Sequence, residues 1–192
     1  MKTALIAAVL ATTLSGCAAV RPEVAVNGKL EPAAGKGYAI LAVTLDSLGG
    51  SDSLPDAGIE VVGPQGRGYL STNDATSITA PGNHPDATGK LHAVQLPAGD
   101  YTVTQMYGSW VVDIGMMRSR EYVRVPLAQR FSVKAGEVVY LGDAHLSLNY
   151  RPSATLSNQQ GRDFNFMQKV WKVSDTSNIQ IKPLPAGEYT AQ

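Results

Sequence analysis

The sequence predicts a mostly β chain: an antiparallel β-sandwich with a small C-terminal extension and room for one short helix. Three observations predict it. Nineteen glycines and eleven prolines punctuate the 192 residues without a strict period, which excludes collagen and favours turn-rich β structure. Short apolar or alternating runs recur between those punctuators. A hydrophobic content of 44% is ordinary for a packed domain, so there is apolar surface enough for a core. Sixteen basic residues balance sixteen acidic ones, which excludes a protein that works by blanketing nucleic acid with positive charge.

The first element is a targeting segment. Lys2 gives a positive start, and Ala4 to Leu14 run uncharged and mostly apolar. That length suits a signal-peptide core and is too short to cross a bilayer. Leu14-Ser15-Gly16-Cys17 follows and contains the single cysteine of the chain. This tetrapeptide resembles the lipobox of bacterial lipoproteins. The resemblance implies that residues 1–16 are a signal peptide removed on export and that Cys17 carries the lipid. Ala18, standing where an aspartate would retain the protein, implies an outer-membrane anchor facing the periplasm. The competing reading is an ordinary secretory signal with an incidental cysteine. Several acyl chains hold a protein stably on a bilayer, whereas one does so only marginally. A lipidated Cys17 leaves no thiol for a disulfide, so stability then rests on the packed core.

Residues 17–36 hold Pro22, Gly28, Pro32 and Gly35 without a sustained period, and they read as a flexible tether. The alternative there is a strand around Val24 to Leu30. The domain proper is expected over residues 37–192. Tyr38 to Leu45 is an apolar run bounded by glycines, the pattern of a buried strand. Ile59 to Val62 and Tyr69 to Thr72 are shorter strands, joined by a hairpin loop at Gly63-Pro64-Gln65-Gly66-Arg67-Gly68. Ser71 to Gly89 is rich in small polar residues and reads as a long surface loop.

Leu91 to Leu96 and Tyr101 to Tyr107 alternate on either side of Pro97-Ala98-Gly99. This predicts a hairpin, with Gly99 at positive φ. Further strands are expected at Trp110 to Ile114, Tyr122 to Val125, Arg130 to Val133 and Val138 to Asn149, with a turn at Ala135-Gly136-Glu137. Phe164, Met167, Val170 and Trp171 recur at helical steps and place the helix within Asp163 to Val173. Ile179 and Ile181 alternate into a final strand. Leu96-Pro97-Ala98-Gly99-Asp100-Tyr101-Thr102 recurs as Leu184-Pro185-Ala186-Gly187-Glu188-Tyr189-Thr190, a reused turn motif rather than a duplicated domain.

The segment from Leu96 to Val103 is similar to the turn-and-strand signature of transthyretin-like and carboxypeptidase-regulatory-like β-sandwiches, which have an Ig-like layout. Phe131 to Gly142 resembles the strand-turn-strand that follows it in bacterial lipoproteins of this shape. The resemblance spans about residues 37 to 150. It implies a module that binds, presents or scaffolds, and it carries over no catalytic residue, because fold does not carry function.

Chemistry-bearing residues are few. The histidines are His84, His92 and His145. Asp143 and His145 share a strand face, with Asp113 a possible companion, but there is no metal-ligand spacing such as HExxH and no cysteine to complete a zinc site. No Gly-x-Ser-x-Gly elbow and no phosphate loop occur. The sequence thus calls for no cofactor, metal or catalytic residue. Arg118, Arg120 and Arg124 share parity with Tyr122 between them, so an extended strand sets all four on one face. Guanidinium groups beside an aromatic ring suit a carboxylate or an anionic glycan. The bland alternative is a solvated strand whose charges blunt a sheet edge. The resulting expectation is a lipid-anchored, non-enzymatic binding or structural-accessory module that meets the membrane through its lipid and an envelope glycan or envelope protein through its body. The alternatives are a hydrolase of envelope material and an accessory subunit of a larger envelope assembly.

Overall fold

The structure, a computed structural model, describes residues 28–82 and 85–191. Residues 1–16, Cys17, Ala18, the first part of the tether and His84 lie outside the described residues. Among the described residues, eleven strands form two sheets, accompanied by one α-helix and one short 3-10 helix. The four-stranded sheet runs β3 (Gly66–Asn73), β2 (Asp56–Gly63), β6 (Gly99–Ile114), β7 (Met117–Val133), all antiparallel. The larger sheet runs β11 (Gly187–Thr190), β9 (Ser153–Ser157), β8 (Val138–Leu148), β1 (Lys36–Ser47), β5 (Pro85–Pro97), β4 (Ser77–Thr79), with β10 (Ile179–Ile181) pairing β8. This sheet is mixed rather than antiparallel throughout: β8 lies parallel to both β1 and β10.

β1 organises the core because its apolar run is continuous. Nine of its twelve residues are buried, so both faces are covered. Ala39, Leu41, Val43 and Leu45 meet Ile59, Val103, Met106 and Val125 of the other sheet in one cluster. Tyr38, Ile40 and Ala42 face a second cluster with Met167 and Phe164 of the helix α1 (Gln160–Val170). Each fully buried Leu, Ile or Val stabilises by about 1.5–3 kcal/mol before entropy is charged. Asn158 Oδ1 accepts from Gln160 N at the start of α1, and the helix stops where Lys172 turns left-handed at φ 60.

A bulge in β8 sets the polar chemistry. Ile40 pairs Tyr140, but Ala42 pairs Asp143, so β8 carries one extra residue there, with Gly142 at φ 99. The bulge flips the alternation. Val139 and Leu141 face the shared core before it, and Ala144, Leu146 and Leu148 after it. Asp143 and His145 are thereby turned to the α1 side.

Several sequence expectations are corrected. Leu91 to Tyr107 is not a hairpin. β5 pairs β1 and β4, whereas β6 pairs β2 and β7, so Pro97-Ala98-Gly99 is a crossing between sheets. Gly99 is not among the residues at positive φ; a Cβ there would instead stand 2.7 Å from Pro64 Cγ. The expected loop from Ser71 to Gly89 is largely strand, anchored by Ile78, which is fully buried within a polar stretch. The separate strands expected at Trp110 to Ile114, Tyr122 to Val125 and Arg130 to Val133 merge into the long β6–β7 hairpin. β9 has no counterpart among the strands expected from sequence. The body also begins ahead of residue 37: Leu30 is buried, its carbonyl accepts from Asn178 Nδ2, and Lys29 pairs with Asp175 at 3.0 Å. The expected tether is therefore docked from Gly28 onward.

Candidate functional site

Two arrangements concentrate chemistry: an open floor on the outer face of the four-stranded sheet, and a buried polar chain under α1.

The floor follows from strand alternation. Inward residues of β7 (Val123, Val125, Leu127) are buried, so Arg118, Arg120, Tyr122 and Arg124 point outward together, as the sequence predicts. β7 is also an edge strand of its sheet. Pairing then sets new neighbours beside them. Tyr107 of β6 lies opposite Arg124, and Ser109 opposite Tyr122. Gly58 lies opposite Tyr107 on β2, and Tyr107 occupies the space a Gly58 Cβ would need. Tyr69 of β3 meets Tyr107 edge-to-face at 6.0 Å. Arg120, Tyr122, Arg124, Tyr107, Ser109 and Tyr69 line a concavity of about 1010 Å³ with Asp56, Glu60, Arg67 and Gln105.

The charges of the floor are mostly paired. Arg120 Nη1 lies 3.2 Å from Asp56 Oδ2 and donates to Ser109 Oγ at 2.7 Å. Arg67 Nη1 lies 3.5 Å from Glu60 Oε2. Glu60 also accepts from Thr104 Oγ1 at 2.7 Å and Gln105 Nε2 at 3.3 Å. The Thr104 hydroxyl leads in holding its carboxyl below the usual range, against the opposing push of burial. Arg118 belongs elsewhere. Its Nε lies 3.2 Å from Asp113 Oδ1, and its Nη2 donates to the Asp52 carbonyl at 3.0 Å, outside the concavity. Arg124 has no carboxylate or hydrogen-bond partner among the described residues. Sequence parity finds Arg120, Tyr122 and Arg124 but misses Arg67, Tyr69 and Tyr107, because the register between strands sets their proximity.

The buried chain runs from α1 to the sheet surface. Arg162 Nε donates to Asp163 Oδ1 at 2.8 Å, and Tyr140 Oη donates to Asp163 Oδ2 at 2.6 Å. Arg162 Nη1 reaches Asp143 Oδ2 at 3.3 Å. Burial pushes both carboxyls up against the pull of Arg162, whose guanidinium is shared by Asp143, Asp163 and, at 3.8 Å, the half-exposed Asp86. Thr44 Oγ1 sits 2.9 Å from Asp143 Oδ1 and 2.9 Å from His145 Nδ1, and His145 Nε2 sits 2.9 Å from Asp46 Oδ1. Thr44 has one hydroxyl proton for two acceptors. With His145 neutral and its proton on Nε2 toward Asp46, Thr44 donates to Nδ1. With His145 charged, Nδ1 donates to Thr44 and the hydroxyl turns to Asp143.

The order Thr44–His145–Asp46 is that of a hydroxyl, base and orienting acid. Thr44 is fully buried, however, so no substrate carbonyl meets its oxygen. The expected companion Asp113 does not join Asp143 and His145; it lies on β6 of the other sheet, paired to Arg118. Among the described residues no three His, Cys, Asp or Glu side chains are grouped to hold a metal ion, and no helix is long and apolar enough to cross a membrane.

No family model and no curated protein matches the chain. A leucine-rich repeat protein from Bacteroides thetaiotaomicron is a structural neighbour, at 16% identity and a TM-score of 0.30. The match covers 61% of this chain and 14% of that one, and a likeness so low carries neither fold nor function across.

Proposed function

We propose that the chain is a lipid-anchored, periplasm-facing envelope protein whose two sheets form a transthyretin-like, Ig-like β-sandwich acting as a non-enzymatic binding module. The observation that carries this reading is the outer floor of the four-stranded sheet. There Tyr69, Tyr107 and Tyr122 interleave with Arg67, Arg120 and Arg124 around an open concavity. Rigid aromatic faces supply contact area at low entropic cost, and guanidinium forks orient polar groups. An open trough suits an extended ligand, and an anionic glycan of the envelope is the proposed partner. The lipid on Cys17 would keep the floor within reach of that material. The hydrolase alternative has weaker support, since the triad-ordered hydroxyl of Thr44 is sealed from solvent.

The test is co-sedimentation of the protein, purified in detergent from its own envelope, with isolated peptidoglycan sacculi, and its capture on immobilised lipopolysaccharide. Binding to either, abolished by Tyr122→Ala with Arg124→Ala at unchanged melting temperature, supports the reading. Absence of binding to both rejects it.

A second reading, accessory subunit of an envelope assembly, is favoured by one feature. Beyond the last β2 pair, Asp56 with Ser109, the β6–β7 hairpin continues as a two-stranded arm whose tip exposes Ile114, Met116 and Met117. Such an arm is marginal alone and gains by packing on a partner.

A further inference from the structure

We propose that the floor of the four-stranded sheet selects a sugar chain bearing carboxylates, and that Arg124 is the residue that reads the carboxylate. The inference rests on the binding-module reading and adds a ligand class to it. Its basis is the charge balance of the floor. Arg67 and Arg120 are committed to Glu60 and Asp56, and those two acids are in turn satisfied by Thr104, Gln105 and Ser109. Of the charged side chains that line the floor, Arg124 is the one with no ion pair among the described residues; it lies opposite Tyr107 and two residues along β7 from Tyr122.

One free guanidinium asks for one negative charge. A planar carboxylate matches its fork through two parallel hydrogen bonds. A phosphate dianion would leave about one unit of charge unanswered on a floor whose other cations are already paired. The flanking groups choose the remainder of the ligand. Tyr122 is 77% exposed and Tyr69 52% exposed, flat faces free to stack on the apolar face of a ring. Gln105 lines the same trough and brings a side-chain amide to it beside the rings.

The experiment titrates the full-length protein in detergent with trigalacturonate, with its methyl ester and with inorganic phosphate. Trigalacturonate is expected to bind at least tenfold more tightly than the ester. Arg124→Gln should erase that ratio by weakening the acid alone, whereas Tyr122→Ala should weaken acid and ester together. Arg124 is exposed and has no ion pair among the described residues, and equal melting temperatures of the variants and the parent certify the comparison. Equal binding of acid and ester overturns the carboxylate assignment while leaving a binding module. Tighter binding of phosphate than of the acid overturns it as well. No binding of any probe overturns it too; co-sedimentation with sacculi then reports separately on the module itself.

Discussion

Arg162 Nη1 lies 3.3 Å from Asp143 Oδ2 and fastens α1 to β8 through an ion pair whose side chains are 7% and 6% exposed. Arg162 also serves Asp163, so its loss strands two buried acids. Arg162→Met is expected to lower stability by about 3–5 kcal/mol. Replacing Arg162, Asp143 and Asp163 together with apolar residues should cost much less, because the one acid then left without its partner, Asp86, is half exposed. Urea denaturation of the parent, the single variant and the triple variant checks this. Equal losses in the single and the triple variant would reject the network as the fastening.

Acid should weaken the fold through His92. This ring is 4% exposed, and burial, followed by the nearby Lys90 charge, pushes its pKa down from 6.5 to about 4. The unfolded chain therefore binds a proton between those values while the folded chain does not. Stability is complete above pH 6.5 and falls as pH drops toward 4, by ~3 kcal/mol for a shift of this size. His92→Gln should flatten that acid flank relative to the parent. An unchanged slope between pH 6.5 and 4 refutes the assignment.

Gly99 tests why a glycine stands at the crossing between sheets. Its constraint is contact rather than left-handed backbone, since a Cβ would meet Pro64 Cγ at 2.7 Å. Gly99→Ala is expected to destabilise by about 1–3 kcal/mol through overpacking. Pro64→Ala in the same chain should recover part of that loss, a coupling that backbone strain would not show. Strict additivity of the two changes counts against the contact.

Cys17→Ser should move the protein from the detergent phase to the aqueous phase on cloud-point partitioning. Persistence of the serine variant in the detergent phase would reject the lipid anchor.

Much of the fold is legible because local pattern and burial agree. The doubly apolar Tyr38 to Leu45 announces a strand covered on both faces, and the helical step from Phe164 to Met167 announces α1, although Val170 of the same series is 53% exposed. What sequence misses is pairing. Pro97-Ala98-Gly99 looks like any hairpin turn, yet β1 and β6 compete for the strand before it, and β1 wins through the core that Tyr38, Ile40 and Ala42 share with Leu91 and Ala93. The site shows the same division. Parity on β7 is visible in Arg118, Arg120, Tyr122 and Arg124, but nothing local says that Tyr107 will lie over Gly58 or that Asp113 will take Arg118 out of the floor. The bulge at Gly142, which turns Asp143 toward Arg162, is likewise written in the register rather than in a motif.

The place of β1 between β5 and β8 has a cost in time. Its neighbours are made long after it: Ile40 waits for Ala93 on one side and for Tyr140 on the other. A ribosome delivers the greasiest segment first and its shields last, so the nascent chain carries an orphaned sticky strand while roughly half the polypeptide is synthesised. Tyr38 to Leu45 is thus the stretch that a holdase would have to cover until β5 and β8 are present.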